Sequence, residues 1–225
     1  VKLSVIMPVY NEKNSIHAII NKVLSVPINK EIIVVDDCSK DGTRDILKTI
    51  NNECIKVFFH DVNKGKGAAI RTGISHITGD YVIIQDADLE YDPFEYEKLL
   101  APILAGEADV VYGTRFSGRR QKISTLHYLG NLFLTVLTNV LYGTRLSDME
   151  TCYKMMKAPI LKGIKLRANR FDFEPEITAK LLKKHLKIKE VPISYHGREW
   201  SEGKKITWKD GIAALWALTK YRFVE

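Results

Sequence analysis

The stretch Asp80–Pro93, DYVIIQDADLEYDP, decides how the rest of the chain is read. Tyr81 to Ile84 is a short, almost wholly apolar run rich in β-branched residues, the pattern of a strand buried on both faces in a parallel sheet. Polarity then inverts. Asp86, Ala87 and Asp88 place two carboxylates, one residue apart, at the C-terminal end of that strand, the edge where open α/β sheets bind ligands. In extended backbone the two would share a face. Held close they repel, so the arrangement requires a cation or hydrogen-bond donors to offset the charge. A hard divalent ion that keeps water ligands and also binds a substrate phosphate suits such a pair. The competing reading is that D-A-D caps a helix opening at Pro93.

Upstream, Lys2–Val9 reads as a first strand, with Pro8 near its end where a missing N–H is tolerated. Ile16, Ile19, Ile20, Val23 and Leu24 follow at helical spacing. Glu31–Val35 is a second strand ending in Asp36 and Asp37, followed by the turn cluster CSKDGT and a helix from about Thr43. Ile55–Phe59 is a third strand, and Asn63–Ala69, NKGKGAA, is a glycine-rich entry to a helix. Tyr81–Ile84 is therefore the fourth strand, Pro93–Leu104 the next helix and Asp109–Gly113 the fifth strand. Such alternation predicts a doubly wound, mostly parallel α/β sheet. Neither G-x-x-x-x-G-K-[ST] nor G-x-G-x-x-G after the first strand is present. Lys64 and Lys66 beside backbone N–H groups at a helix start still suit an anionic ligand.

Composition bounds the partners. A chain of 225 residues with 45% hydrophobic content supports one sizeable domain and does not require two. The net charge of +7 is unevenly spread: residues 1–114 hold 12 Lys and Arg against 17 Asp and Glu, and residues 115–225 hold 22 against 10. An acidic, metal-holding half and a basic half facing an anion are expected, the anion being a phosphorylated substrate, a membrane surface or nucleic acid. No aromatic-basic interleaving of the single-strand-binding type accompanies the charge, so nucleic acid is not the expected partner. Cys38, Cys54 and Cys152 lack C-x-x-C pairing, which points to neither disulfide framework nor zinc site and favours a reducing, cytoplasmic compartment. No leader-type segment and no run of about 18 apolar residues is evident.

Beyond Gly113 the alternation stops. Thr114–Gln121, TRFSGRRQ, reads as an arginine-rich loop, and Arg115 at the end of the fifth strand is the candidate phosphate clamp. Leu129, Leu132, Phe133, Val136, Leu137, Val140 and Leu141 form one amphipathic helix, and Trp208, Ile212, Leu215, Trp216 and Thr219 share a face of another, with Lys209, Lys220 and Arg222 supplying cations. Each either packs on the sheet or lies in a lipid interface. Between them the polar islands SDMETCYK (147–154), FDFEPEI (171–177) and YHGREWSEGKKI (195–206) offer Asp148, Glu150 and Glu176 as catalytic carboxylates and Arg198, Lys204 and Lys205 as phosphate contacts. Glu174 reads as a helix cap, and Arg198 has Glu199 and Glu202 as nearby surface partners.

P-V-Y-N-E at 8–12, V-V-D-D-x-S-x-D-G-T at 34–43, N-x-G-K-G-x-A at 63–69, D-A-D-L at 86–89 and G-T-R at 113–115 occur in the order seen in family 2 glycosyltransferases of the GT-A fold. The chain resembles in particular the branch that makes dolichyl-phosphate and other polyprenyl-phosphate sugars, including dolichol-phosphate mannose synthases. The resemblance covers nearly the whole chain. It implies a Rossmann-like sheet flanked by helices, with a donor-binding half (1–114) and an acceptor-binding half (115–225). It implies that Pro8, Tyr10, Glu12 and Asp37 surround the nucleotide, with Lys66 nearby. Asp86 would lie by ribose or metal, and Asp88 would ligate Mg2+ or Mn2+ at the diphosphate. Arg115 would face the phosphates, and Arg198 and Lys204 would close over donor and acceptor.

One departure stands out: Leu126, His127 and Tyr128 occupy the place of the Ser-Arg-Gly segment of dolichol-phosphate mannose synthases. The acceptor is thereby left open. The expected activity is inverting transfer from a GDP-mannose- or UDP-glucose-type donor to a polyprenyl or dolichyl phosphate, peripheral to the cytoplasmic face of a membrane. A sugar hydroxyl acceptor would require Asp148, Glu150 or Glu176 as base. A sugar-nucleotide pyrophosphorylase lacks support, because no glycine-rich, arginine-bearing loop occupies residues 4–12. A non-catalytic nucleotide-sugar-binding module is the alternative of another class.

Overall fold

Apolar, β-branched runs joined by amphipathic helices can bury both sheet faces only by layering helices on each side. The computed structural model describes residues 1–116, 120–121, 125–198 and 208–224. The first half runs β1 (Leu3–Val9), α1 (Ile16–Ser25), β2 (Lys30–Asp36), α2 (Thr43–Lys48), β3 (Ile55–Phe59), α3 (Lys66–Ile74), β4 (Tyr81–Ile84), a 3-10 turn (Pro93–Glu95), α4 (Tyr96–Leu104) and β5 (Val110–Thr114). The second half adds β6 (Arg120–Gln121), α5 (Thr125–Tyr142), β7 (Lys154–Lys157), α6 (Ala158–Lys162), α7 (Phe173–Lys183), β8 (Ile188–Pro192), β9 (Tyr195–His196) and α8 (Trp208–Phe223).

The main sheet has seven strands in the order β3-β2-β1-β4-β7-β5-β8. All its neighbours pair in parallel except β7, which runs antiparallel to both β4 and β5. Met155 of β7 faces Ile83 on one side and Val111 on the other. The mostly parallel α/β expectation holds, with one antiparallel strand, β7, that the upstream alternation does not reveal. A single core cluster draws on both halves, from Leu3 to Tyr195. β1 pairs with β4 only as far as Ile6, so Pro8 lies past the last rung on that side. The expected loop at 114–121 is in part structured: β6 pairs in parallel with β9.

The glycine-rich segment is positioned by close approach. A Cβ on Gly65, where φ is +93°, would lie 2.3 Å from the Asn169 carbonyl oxygen, and one on Gly67 would lie 2.5 Å from that of Ala168. Ala68 N donates to Asn169 O at 3.1 Å. The 167–168 segment is fixed by Glu176, which accepts from Arg167 N at 2.9 Å, Ala168 N at 2.6 Å and Lys180 Nζ at 2.7 Å.

The two amphipathic helices pack on each other through Leu134, Leu137 and Leu141 of α5 and Ala214 and Leu218 of α8, and each turns a second apolar stripe outward. On α5, Thr135 and Thr138 are buried, and the Asn139 amide brackets Leu146 by donating to its carbonyl and accepting from its N–H, both at 2.8 Å. The apolar stripe of Leu129, Leu132, Phe133, Val136 and Val140 is exposed instead, Phe133 at 60% and Val140 at 76%. On α8, Ala214, Ala217, Leu218 and Tyr221 face inward, while Ile212, Leu215, Trp216 and Phe223 are exposed, Trp216 at 67%. Tyr142 OH joins the helices by donating to Leu218 O at 2.8 Å. Among the described residues no helix is long and apolar enough to cross a membrane.

Alanine normally favours a helix over glycine by about 1 kcal/mol. Gly67→Ala is nevertheless expected to lose about 1–3 kcal/mol in urea denaturation through overpacking against Ala168. Gly130→Ala in α5, whose Cβ would meet nothing within 4 Å, should be neutral or stabilising.

Candidate active site

β4 ends at Ile84, and the chain then turns. Asp86 and Asp88 therefore do not lie on one face of an extended strand as expected, and Leu89 adopts φ 65° immediately after them. Gln85 fixes the exit: its Oε1 accepts from Tyr96 OH and Tyr153 OH, each at 2.6 Å, and its Nε2 donates to Asp86 O at 2.9 Å. The helix cap ahead of Pro93 is Asp92, which accepts from Phe94 N at 3.2 Å. D-A-D is thus released from capping. The Asp86 and Asp88 side chains keep 21% and 13% of their surface open, enough for a ligand to reach them.

Two cations offset this charge. Lys66 Nζ lies 2.9 Å from Asp86 and 2.8 Å from Glu174. Burial works against the Lys66 charge, but the two carboxylates hold its pKa well above the ordinary lysine value. Burial likewise opposes ionisation of Asp86, and Lys66 outweighs it, leaving the Asp86 pKa lowered. Arg198 donates from Nη1 and Nη2 to Glu12 at 3.0 and 3.1 Å and from Nη2 to Asp88 at 3.2 Å. Asp88 is nonetheless pushed up to about 8, by burial first and then by repulsion from Glu90 and Asp86, which Arg198 does not offset. Among the described residues no three His, Cys, Asp or Glu side chains form a metal cage. A pair of carboxylates with such accumulated charge fits a magnesium-like ion, which takes most of its ligands from phosphate and water.

The remaining predicted residues divide. Pro8 is buried, and Tyr10 and Glu12 follow β1 at the same edge. Asp37 is buried at the end of β2, and both its oxygens are engaged: Oδ1 with His60 Nδ1 at 2.7 Å and Lys64 N at 2.8 Å, Oδ2 with Gly65 N at 2.7 Å. Its observed work is to shape the glycine-rich loop. Arg115 differs from the expected phosphate clamp. Its Nε and Nη2 donate to Asp148, each at 2.7 Å, and its guanidinium lies 5.2 Å from the Tyr195 ring centre. Asp148 and Glu176 are likewise occupied by buried donors, which removes them as freely available bases. Glu150 is the exception of the three: its Oε1 is buried without a hydrogen-bond partner among the described residues. Arg198 meets Glu12 and Asp88; Glu199 and Glu202 lie outside the described residues. Lys204, with Lys205, lies outside the described residues.

Several residues escaped the sequence reading. Glu90 accepts from Arg198 N at 2.7 Å and Tyr195 OH at 2.7 Å, and so fixes the segment carrying Arg198. Glu174, expected as a cap, is instead the second anchor of Lys66. His60 braces Asp37, with Nε2 at 2.9 Å from Thr72 Oγ1. The available signal was an acidic residue inside each polar island; nothing in one sequence tells which points inward.

A doubly wound sheet with paired aspartates at one strand end, a glycine-rich loop against them and basic residues returning from the second half defines a GT-A glycosyltransferase. The chain belongs to glycosyl transferase family 2, whose sequence profile matches residues 4–164. It is 33% identical over 203 residues to the low-salt glycan biosynthesis hexosyltransferase Agl6 of Haloferax volcanii, covering 88% of this chain and 48% of that protein. It is 29% identical over 217 residues to a UDP-N-acetylglucosamine–dolichyl-phosphate N-acetylglucosaminyltransferase of Methanococcus voltae, covering 87% and 86%. An undecaprenyl-phosphate 4-deoxy-4-formamido-L-arabinose transferase of Salmonella choleraesuis is 29% identical over 210 residues, covering 90% and 62%. The chain thus spans about half the length of the Haloferax relative. The fold matches glucosyl-3-phosphoglycerate synthase of Mycobacterium tuberculosis crystallised with Mg2+ and UDP, with TM-score 0.75 at 19% identity, over 100% of this chain and 80% of that one.

Asp148→Ala leaves the Arg115 charge buried without its partner and should cost about 3–5 kcal/mol in chemical denaturation. Adding Arg115→Met is expected to recover much of that loss. A pH effect follows from Asp88 and Glu150, each raised to about 8 from ordinary values of 3.8 and 4.5. Between about pH 4 and 8 the folded chain holds protons that the unfolded chain has released, so stability of the metal-free protein falls as pH rises through that window. Asp88→Asn should flatten the slope in pH-dependent denaturation.

Proposed function

We propose that the chain transfers a hexosyl group, with inversion, from a nucleoside diphosphate sugar of the GDP-mannose or UDP-glucose type to a polyprenyl or dolichyl phosphate at a membrane surface. The observation that carries this reading is the outward turn of the apolar stripes on α5 and α8, next to an acidic edge suited to a nucleotide diphosphate. Lys220 and Arg222 on α8 suit anionic headgroups. The names of the Methanococcus and Salmonella relatives, which act on dolichyl and undecaprenyl phosphate, support the acceptor class.

In this reading residues 1–114 serve the donor and 115–225 the acceptor. Pro8, Tyr10, Glu12 and Asp37 border the base and ribose, with the loop that Asp37 shapes presenting Lys66. Asp88 and Asp86 hold Mg2+ or Mn2+, which when bound supplies positive charge to the departing diphosphate. Lys66 keeps Asp86 ionised. Arg198 exchanges Glu12 and Asp88 for phosphate oxygens as donor and acceptor arrive, joined by Lys204. Arg115, locked flat by Asp148, contributes its field and steadies the turn after β5. A lipid phosphate is already ionised at neutral pH and attacks the anomeric carbon without a strong base.

A second reading, transfer to a sugar hydroxyl, is favoured by Glu150, whose pKa near 8 suits a general base. Both readings are tested with vesicles containing undecaprenyl or dolichyl phosphate, labelled sugar nucleotides and Mn2+ or Mg2+. Label is expected in the lipid extract, with loss on chelation and a fall of about a hundredfold or more in Asp88→Asn. Label in soluble glycan acceptors alone would replace the first reading by the second. Phe133→Glu with Trp216→Glu should abolish vesicle co-sedimentation while leaving sugar-nucleotide affinity unchanged.

A further inference from the structure

Arg198 lies between two carboxylates whose positions are set independently of it. Glu12 N donates to Thr43 Oγ1 at 2.9 Å, and Glu12 Oε2 accepts from Ser15 Oγ at 2.8 Å, which fixes this residue just beyond β1. Asp88 Oδ1 accepts from Glu90 N at 3.2 Å, so that oxygen is tied to the turn after β4. The guanidinium spans both acids: Nη1 is 3.0 Å from Glu12 Oε2, and Nη2 is 3.1 Å from Glu12 Oε1 and 3.2 Å from Asp88 Oδ2. Among the described residues, Nη2 is the only partner of Asp88 Oδ2. The backbone that carries Arg198 is anchored separately. Glu90 accepts from Arg198 N and from Tyr195 OH, each at 2.7 Å, and its carbonyl accepts from His196 N at 2.9 Å. The Tyr195 ring meets Tyr91 edge-on, with centres 5.2 Å apart. Rotation of the arginine side chain alone therefore frees both acids, with β9 left in place.

Resting on the donor and metal reading above, we propose that Arg198 and the divalent ion compete for Asp88 Oδ2, so that the ion loads only together with a diphosphate that receives the released guanidinium. With one oxygen of Asp88 committed to the Glu90 N–H, the ion and the guanidinium must share the other. Two cations on one oxygen repel. The side chains of Arg198, Glu12 and Asp88 keep only 20%, 8% and 13% of their surface open, so solvent screens that repulsion poorly. An ion arriving by itself breaks the charge-assisted bond from Arg198 to Asp88 and offers nothing in return. A diphosphate presents pairs of oxygens that match the guanidinium fork, and its arrival with the ion replaces the acceptors that Arg198 gives up. Ion and diphosphate then favour each other's binding, and the coupling is reciprocal. The arrangement keeps the acidic edge from loading a cation before the donor is present. A clasp that only held the two halves of the chain together would have no reason to take the oxygen a metal needs.

The test reads Mn2+ binding and needs no turnover. Free Mn2+ is followed by electron paramagnetic resonance as the full chain is titrated with Mn2+ alone and with Mn2+ in saturating UDP or GDP. The diphosphate that raises Mn2+ affinity more in the parent is carried to Arg198→Met and Arg198→Gln. Either neutral variant should bind Mn2+ alone about tenfold more tightly than the parent, a gain within the usual range of coupling between two ligands, and should stay within about twofold of the parent when diphosphate is present. The advantage that the diphosphate gives to Mn2+ thus shrinks by the same factor. Adding Asp88→Asn to Arg198→Met should erase the gain. Equal tightening with and without diphosphate overturns the proposal, because Arg198 is then a fixed neighbouring charge. No tightening in either condition overturns it as well and leaves Arg198 a clasp between the halves. A gain that survives Asp88→Asn places the ion elsewhere and has the same consequence. In the first two of these outcomes the parent still binds Mn2+ with nucleotide, and the donor reading stands. Failure of the parent to bind Mn2+ with either UDP or GDP removes the donor and metal reading, and the exchange with it. Either neutral replacement carries the test alone if the other does not fold.

Discussion

Like charges crowded at one edge of a sheet repel, and the rest of this structure is arranged around containing that repulsion. Glu12, Asp86, Asp88, Glu90, Asp148, Glu150 and Glu174 come from both halves of the chain. Their counter-charges come from four separate places: Lys66 at the start of α3, Arg115 after β5, Lys154 in β7 and Arg198 after β9. Arg198 and Glu12 are 186 residues apart, and their contact closes the second half over the first. Taking one cation from such a network leaves a buried carboxylate exposed to its neighbours rather than to water, so the pairs act together. Asp88, still raised with Arg198 beside it, is where the compensation is incomplete, and an incoming divalent ion has most to offer there.

The sheet's first five strands were legible because buried parallel strands are continuous apolar runs and their helices carry a 3.6-residue period. β7 was not, since KMMK is a run of only four residues that starts at the last residue of the 147–154 polar island and takes its strand pairing from β4 and β5 on either side. The site was legible as residue types but not as partners. Asp86, Asp88, Lys66 and Arg198 do meet at one edge. Arg115, chosen for its place at a strand end, is engaged by Asp148 from 33 residues away, a pairing no local pattern announces. Glu174 and Glu176 are two apart in one helix, yet one holds a lysine at the ligand edge and the other fastens a loop. That difference depends on which helix face meets the 165–170 segment, and a sequence without tertiary context does not contain it.

The amphipathic helices show the same limit. Their apolar positions were correctly found, and their orientation was open. Leu134, Leu137 and Leu141 pack inward against Ala214 and Leu218, and Thr135 and Asn139 turn inward beside them, where loop 146–149 presents backbone groups that need partners. Thr135 also accepts from Met149 N, so the helix with the exposed stripe and the loop with Glu150 form one hydrogen-bonded unit.

The antiparallel placement of β7 also bears on how the chain reaches this state. The sheet consists of a β3-β2-β1-β4 block and a β5-β8 pair that only β7 joins. During synthesis β4 and β5 emerge long before residue 154, each with an unpaired flank able to recruit a foreign strand. Closure must wait for a non-local insertion, which slows folding and lengthens exposure to aggregation. A nascent chain halted short of Lys157 would therefore carry the open flank of β4 and, with β8 not yet made, both flanks of β5.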